Sequence, residues 1–231
     1  MSSFRRVSWT RGAGGGVESG DRLRLELDPG GALRGFLADA SGHGAQGEAF
    51  WVGQGDLVLG AWSAHLARSP GPEALRELGR ELNAGLYTAA LETPGAGSPY
   101  LALLALAWLP GGALHLVTWG WGVHALVETA GGTWWPPVEE RVGLKLGWLG
   151  PAAWERTSRA CPLARLEGAR RVLLLSDGFL GDDHRDPAAT LELLREIGRE
   201  TAGRAPEAAI EWLRATHPPD EDDATAAVIE V

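Results

Sequence analysis

The chain has 231 residues, and 45% of them are hydrophobic, which is enough for a sizeable core. Its formal net charge of −9 excludes a broad electrostatic attraction to nucleic acid, and its single cysteine, Cys161, excludes an internal disulfide and fits a reducing compartment. No signal peptide follows Met1 and no apolar run reaches the ~18 residues of a membrane span, so we predict a cytoplasmic protein without membrane contacts. The length favours one domain over residues 1–231, with a strand and a glycine turn in residues 1–20.

The first predicted elements are strands. Residues 4–11 mix apolar and basic side chains, which predicts a strand, and the glycines within 12–16 predict a flexible turn. Leucines alternate with polar residues over 21–27, which predicts a strand with one buried face. An Asp-Pro-Gly-Gly turn at 28–31 then makes this strand the first half of a hairpin, and the second half ends at Asp39.

The rest of the chain predicts alternating helices and strands. A helix is expected from residue 45 to about 68, and the next one carries an apolar stripe that is typical of core packing, formed by Leu75, Leu78, Leu82 and Leu86. Turn signals at 110–112 and 130–132 predict two more hairpins. The remaining predictions are short strands at 144–149 and 170–175, helices that start at Asp186-Pro187 and Ala205-Pro206, and a last strand after Asp222.

Aspartates stand at the ends of four predicted strands. Asp39 and Asp177 each close an apolar run and precede a small, glycine-containing turn, whereas Asp21 and Asp222 precede their strands. Each one alone could be a helix cap or a turn residue. If the strands are neighbours, however, the carboxylates converge and repel, and the sequence shows no basic residue placed to pair with them. Hard divalent cations such as Mg²⁺ bind such oxygen ligands, and the absence of His and Cys from the set disfavours zinc.

Four motifs carrying these aspartates occur in one order along the chain: Gly20-Asp21, Asp39-Ala40-Ser41-Gly42-His43-Gly44, Ser176-Asp177-Gly178 and Asp222-Asp223-Ala224-Thr225. Together they resemble the PPM family of metal-dependent protein phosphatases (type 2C), and within it the bacterial SpoIIE-like and RsbX-like branch. The resemblance extends from about residue 21 to residue 231. It implies an α+β fold, a four-layer α-β-β-α sandwich of two antiparallel sheets flanked by helices.

The resemblance also implies a metal site and a reaction. The implied ligands of two Mn²⁺ or Mg²⁺ ions are Asp21, Asp39, the backbone carbonyl of Ala40, Asp177 and Asp222. Asp39 would bridge the two ions and is therefore the candidate catalytic residue, while Asp223 is a neighbour that could exchange roles with Asp222. The implied activity is hydrolysis of phosphoserine or phosphothreonine by a metal-activated water. The phosphorylated protein substrate would be a regulatory partner such as an anti-sigma factor antagonist.

Two residues are candidates for substrate binding. In many relatives an N-terminal arginine binds the phosphate, and Arg11 or Arg5 is the counterpart here, with a solvated basic strand as the alternative. His43 could bind phosphate or donate a proton to the leaving group, although its position differs from that of the histidine in the eukaryotic branch. Gly181 stands where some relatives place an acid for a third metal, so a third ion is not expected unless Asp182 reaches the site.

Residues 118–122 read Thr-Trp-Gly-Trp-Gly, where SpoIIE-like relatives often have Asn-Ala-Gly-His. We expect this departure to leave the metal ligands untouched, while the substrate contacts stay open. It keeps open a second interpretation, a phosphatase fold without turnover that regulates a partner by binding. The loop after Asp39 also resembles that of histidine-kinase-like ATPases, but its glycine comes one residue too late and no Asn-rich helix precedes it. No pattern in the sequence specifies an oligomeric state.

Overall fold

Ten strands and five α-helices follow one another in the part of the chain that the computed structural model describes, namely residues 4–11, 19–40, 45–92, 100–134, 144–158, 163–181, 186–219 and 222–231. In chain order they are β1 (Arg5–Arg11), β2 (Asp21–Leu27), β3 (Leu33–Ala40), α1 (Ala45–Leu66), α2 (Pro72–Glu92), β4 (Leu101–Trp108), β5 (Leu114–Trp119), β6 (Val123–Thr129), β7 (Gly132–Trp134), α3 (Pro151–Thr157), β8 (Leu163–Leu166), β9 (Ala169–Ser176), α4 (Pro187–Thr201), α5 (Pro206–Thr216) and β10 (Ala224–Glu230). None of the described helices combines the length and hydrophobicity that crossing a membrane requires.

The strands form two antiparallel sheets of five strands each. Sheet 1 has the order β1-β10-β9-β6-β7, and sheet 2 has the order β2-β3-β4-β5-β8. The three predicted hairpins are confirmed as β2–β3, β4–β5 and β6–β7. The glycine turn predicted at 12–16 lies outside the described residues.

Three apolar clusters separate four layers of secondary structure. Side chains of successive residues in a strand point to opposite faces, so Leu37 packs between the sheets while its neighbour Phe36 packs under α1 and α2. A third cluster joins sheet 1 to α4 and α5, with Ile197 and Leu213 fully buried. Each such leucine or isoleucine contributes about 2 kcal/mol through burial. The predicted four-layer α-β-β-α sandwich is therefore confirmed.

Most of the predicted elements are present, with local exceptions. Asp186 caps α4 by accepting a hydrogen bond from the Ala188 amide at 2.8 Å, and the leucine stripe of α2 is buried. The strand predicted at 144–149 is wrong, because only Leu146 pairs there, in an isolated bridge with Leu101. Leu27, predicted to be buried, is 60% exposed because it ends the edge strand β2 at its turn. The sequence analysis did not predict α3 or β8.

A buried cation holds the α1–α2 connection against sheet 2. Arg34 of β3 is 2% exposed and forms an ion pair with Asp28, with 2.9 Å between Nη2 and Oδ2. The same guanidinium donates to the backbone carbonyls of His65 at 2.9 Å and Arg68 at 2.7 Å. The turn of the β2–β3 hairpin and the end of α1 are therefore fixed to each other by one side chain.

Candidate active site

The two sheets bring the predicted aspartates to one end of the sandwich. Asp21 and Asp39 are directly opposite each other in the β2–β3 ladder of sheet 2. Asp177 follows β9 and Asp222 precedes β10, and these two strands are neighbours in sheet 1. Negative charge on Asp177, Asp21 and Asp222 acts on the Asp39 carboxyl, so the four groups form one electrostatic cluster.

Two hydrogen bonds join the sheets beside this cluster. The Ser176 hydroxyl donates to Oδ2 of Asp21 at 2.6 Å and accepts from the backbone amide of Thr225 at 2.8 Å. The backbone amide of Gly20 donates to Oδ2 of Asp223 at 2.6 Å. Ser176 and Asp223 are both buried, so the two hydrogen bonds that join the sheets are shielded from water. Ser176 was not predicted to have a role of its own, although its place directly before Asp177 was the available signal.

Asp222 and Asp223 have different surroundings. Asp223 is 4% exposed and its carboxylate accepts from Gly20, whereas Asp222 is partly exposed and accepts from the Asp223 amide at 2.8 Å. Asp222 acts electrostatically on Asp39, and Asp223 acts on Asp21. Asp223 therefore connects the two sheets, while the role of Asp222 as a metal ligand stays a prediction.

Two glycines allow the backbone to approach the carboxylates closely. Gly122 has a φ of +121°, and a Cβ at this position would overlap Oδ2 of Asp39 and lie 3.2 Å from Oδ2 of Asp177. The carbonyl of Gly122 also accepts a hydrogen bond from the Asp177 amide at 2.8 Å. The expectation that the segment 118–122 leaves the site untouched is therefore wrong. Gly178 has a similar constraint, because its Cβ would overlap the carbonyl oxygen of Asp223.

Burial and mutual repulsion raise the pKa values of the Asp21 and Asp39 carboxyls. Burial raises the pKa of Asp21 to about 7; the hydrogen bond from Ser176 opposes this shift, and the charge of Asp177 adds to it. The pKa of Asp39 is raised well above its usual range by burial and then by the charges of Asp177 and Asp21, while Lys145 acts in the opposite direction. A basic residue therefore does lie near the cluster, contrary to the sequence-based expectation.

The chemistry of the donor set fits a hard divalent cation. The cluster offers oxygen ligands, carries more negative than positive charge, and includes the buried hydroxyl of Thr225, which lies beside the Asp21 carboxyl and lowers its pKa. Within the described residues, no three His, Cys, Asp or Glu side chains are already arranged as a group that could hold a metal ion.

The remaining predicted site residues are only partly described. Ala40 ends β3 and is buried, with its amide 3.3 Å from the Gly20 carbonyl, but a role of its own carbonyl as a ligand stays a prediction. The backbone of Arg11 pairs with Ala224, which places it near the cluster, whereas its side chain lies outside the described structure. His43 and Asp182 also lie outside the described residues, so their roles stay untested.

Two antiparallel sheets between pairs of helices, with aspartates from both sheets at one end, define the fold of the PP2C phosphatases. No protein-family model matches the chain, and no curated protein sequence matches it significantly. Solved structures do match. The PP2C phosphatase domain of SpoIIE from Bacillus subtilis, solved with a fragment of its regulatory domain, is 15% identical with a TM-score of 0.67, covering 100% of this chain and 64% of that one.

Two further structures are similar along nearly their whole length. The serine/threonine phosphatase of S. agalactiae is 11% identical with a TM-score of 0.68, covering 99% of this chain and 100% of that one. RsbX in complex with magnesium is 13% identical with a TM-score of 0.63, covering 98% of this chain and 94% of that one. The predicted resemblance to the PPM phosphatases, with SpoIIE and RsbX among the relatives, is thus confirmed at the level of the fold.

Proposed function

We propose that this protein is a metal-dependent phosphatase that hydrolyses phosphoserine or phosphothreonine in a protein substrate. The observation that carries the proposal is the convergence of four aspartates from two sheets into one partly buried, oxygen-only cluster. The presence of magnesium in the structure of RsbX, a structural neighbour, supports a divalent cation as the partner of these carboxylates. Mn²⁺ and Mg²⁺ are the ions that the ligand chemistry favours.

Each aspartate has a role that follows from its place. Asp39 lies between the charges of both sheets and would bridge two ions, with Asp21, Asp177, Asp222 and the carbonyl of Ala40 as the other protein ligands. When bound, such ions activate a water molecule for in-line attack on phosphorus. The chain itself fixes the carboxylates, through the Ser176 hydroxyl on Asp21 and the close approach of Gly122 to Asp39. No residue of the chain needs to bond covalently to phosphorus.

The proposed substrate is a phosphorylated regulatory protein, for example an anti-sigma factor antagonist. SpoIIE, one of the structural neighbours, is described as a cell fate determinant, which supports a signalling role for the same fold here. The net charge of −9 disfavours nucleic acid as a partner.

The direct test is hydrolysis of p-nitrophenyl phosphate with and without Mn²⁺, comparing the wild type with Asp39→Asn. We expect Mn²⁺-dependent turnover that falls by at least about 100-fold in the variant, because a bridging ligand contributes more than the outer residues that orient ligands. Asp56→Asn is the matched control, since Asp56 is exposed on α1, outside the cluster, and its replacement should leave turnover unchanged. A folded wild type that shows no turnover with Mn²⁺ or Mg²⁺ contradicts the proposal.

A second candidate function is regulation of a partner by binding without turnover. It is favoured by the altered segment at 118–122. Calorimetric titration with Mn²⁺, together with the turnover assay, separates the two functions. Cation binding accompanied by turnover supports the phosphatase, and an intact fold without turnover, with or without cation binding, supports the binding protein.

A further inference from the structure

The basic residues of this chain are almost uniformly arginine. Lys145 is the single lysine among 21 lysine and arginine residues. The sequence analysis assigned it to a short strand and gave it no function. In the fold, however, Lys145 lies close to the aspartate cluster and acts electrostatically on Asp39.

The backbone around Lys145 is fixed to sheet 2 next to Asp39. Leu146 exchanges two hydrogen bonds with Leu101 of β4, one of 2.9 Å and one of 3.1 Å. On its other side Leu101 is paired with Ala40, and all three side chains belong to the cluster under the helices. Because side chains alternate between faces, Lys145 faces the opposite side, where Ala102 and Asp39 are paired.

The contacts of the Lys145 side chain agree with this direction. A Cβ built on Gly120 would lie 3.1 Å from Cγ of Lys145 and 3.1 Å from Cβ of Ala102, so the lysine stem passes over the residue paired with Asp39. Lys145 is partly exposed, which leaves it accessible to a ligand at the site. Its positive charge also lowers the pKa of Asp39 against the combined effect of burial and the other aspartates.

We propose that Lys145 is a phosphate-binding residue of the active site and contacts the phosphoryl oxygens of the substrate; this inference rests on the proposed phosphatase function. A phosphate monoester carries close to two negative charges at neutral pH and has to approach a cluster of carboxylates. A cation on the same face reduces that repulsion and orients the phosphoryl group. A lysine can make this contact because its ammonium group is a compact charge with three donors on a flexible stem.

A labelling experiment tests this contact without relying on turnover. Since the protein has one lysine, an amine-acetylating reagent can modify only Lys145 and the terminal α-amino group, and mass spectrometry quantifies each of them. We expect saturating inorganic phosphate, with Mn²⁺ present, to slow acetylation of Lys145 by about 5-fold or more and to leave the α-amino group unaffected. Equal acetylation of Lys145 with and without phosphate would overturn the proposal.

Kinetics of matched variants give a second, independent readout. Lys145→Met should raise the KM for p-nitrophenyl phosphate and the inhibition constant of inorganic phosphate by about 10-fold or more, the usual effect of losing a charged hydrogen bond. Lys145→Arg should recover most of this loss, and Arg156→Met, an exposed change on α3, should have no effect. If Lys145 serves only as a counter-charge for Asp39, Lys145→Met will change the Mn²⁺ affinity and leave the phosphate inhibition constant unchanged, which contradicts the proposal.

The two hypotheses fail in different ways. A wild-type protein without turnover refutes the phosphatase function, and the acetylation experiment then still decides whether phosphate reaches Lys145. Turnover with normal phosphate inhibition in Lys145→Met keeps the phosphatase function and refutes the assignment of Lys145.

Discussion

At the scale of single residues, glycines shape the candidate site as much as the aspartates do. Gly122 and Gly178 remove side chains from places where a Cβ would overlap Asp39 or the backbone of Asp223. The Trp-Gly-Trp-Gly segment therefore brings its backbone close to the Asp39 carboxylate through Gly122.

Replacement of Gly122 by alanine tests this point. The added methyl group displaces the Asp39 carboxyl, so we expect the affinity for Mn²⁺ to fall by at least about 10-fold in calorimetric titration. Gly111→Ala is the matched control, because Gly111 has a similar φ of +100° in the β4–β5 turn and no neighbouring atom within 4 Å of its Cβ position. Both variants should lose about 1–2 kcal/mol of stability from backbone strain. Equal Mn²⁺ affinities in the two variants would show that Gly122 does not determine the position of Asp39.

At the scale of elements, the end of α1 is held by a buried histidine as well as by Arg34. His65 is fully buried, with Nδ1 3.1 Å from the carbonyl of Ala74 in α2, and its Nε2 has no hydrogen-bond partner among the described residues. Burial, followed by the nearby charge of Arg34, lowers the pKa of His65 to about 4. His65 is therefore neutral at neutral pH and joins α1 to α2 in that form.

This histidine makes the fold sensitive to acid. In the unfolded chain His65 takes up a proton near pH 6.5, but in the folded protein it does so only near pH 4, so its stabilising contribution is complete above pH 6.5 and is lost as the pH falls toward 4. We expect the wild type to lose about 2–3 kcal/mol relative to His65→Asn between pH 7 and pH 4.5, measured by urea unfolding. Asparagine keeps a donor for Ala74 and does not titrate. Parallel pH profiles for the two proteins would contradict this assignment.

At the scale of the whole molecule, the candidate site is also the place where the two sheets are joined. The carboxylates of sheet 2 face those of sheet 1, and without a cation their repulsion opposes the packing of the sandwich. As the pH rises, a carboxyl whose pKa is raised in the folded protein keeps its proton at pH values where the same carboxyl in the unfolded chain has already lost it. The stability of the metal-free protein should therefore fall as the pH rises from about 4 through the raised pKa values of these carboxyls.

Asp39→Asn should separate stability from cation binding. Without metal at pH 7.5, we expect the variant to melt about 2–4 °C above the wild type, the shift that about 1 kcal/mol produces in a chain of this size. Mn²⁺ should raise the melting temperature of the wild type by mass action and leave that of the variant nearly unchanged. Thermal scans in EDTA and in Mn²⁺ provide the measurement, with Asp56→Asn as the control. A metal-free variant that melts below the wild type would mean that Asp39 stabilises the fold.

The sequence predicted most of the elements and the aspartates well because both depend on strong local patterns, whereas the four-layer sandwich was implied only by the family resemblance. The apolar runs before Asp39 and Asp177, the hairpin turns and the α2 stripe all produced the expected elements. Contacts between residues that are far apart in the sequence could not be predicted. The approach of Gly122 to Asp39, the nearness of Lys145, and the bond from Ser176 to Asp21 depend on how the sheets pack, and no local periodicity encodes that packing.

The strand order of sheet 1 has a consequence for synthesis on the ribosome. The strand β10, last in chain order, lies between β1 and β9, and Arg5 pairs with Glu230. Because the chain emerges N-terminus first, β1 cannot pair with β10, its only described neighbour, until the other described elements have been synthesised. Asp222 and Asp223 emerge with β10, so a nascent chain that lacks β10 cannot assemble the aspartate cluster. The proposed hydrolytic activity therefore arises only after β10 has left the ribosome, and the open edge of β9 needs protection from aggregation until then.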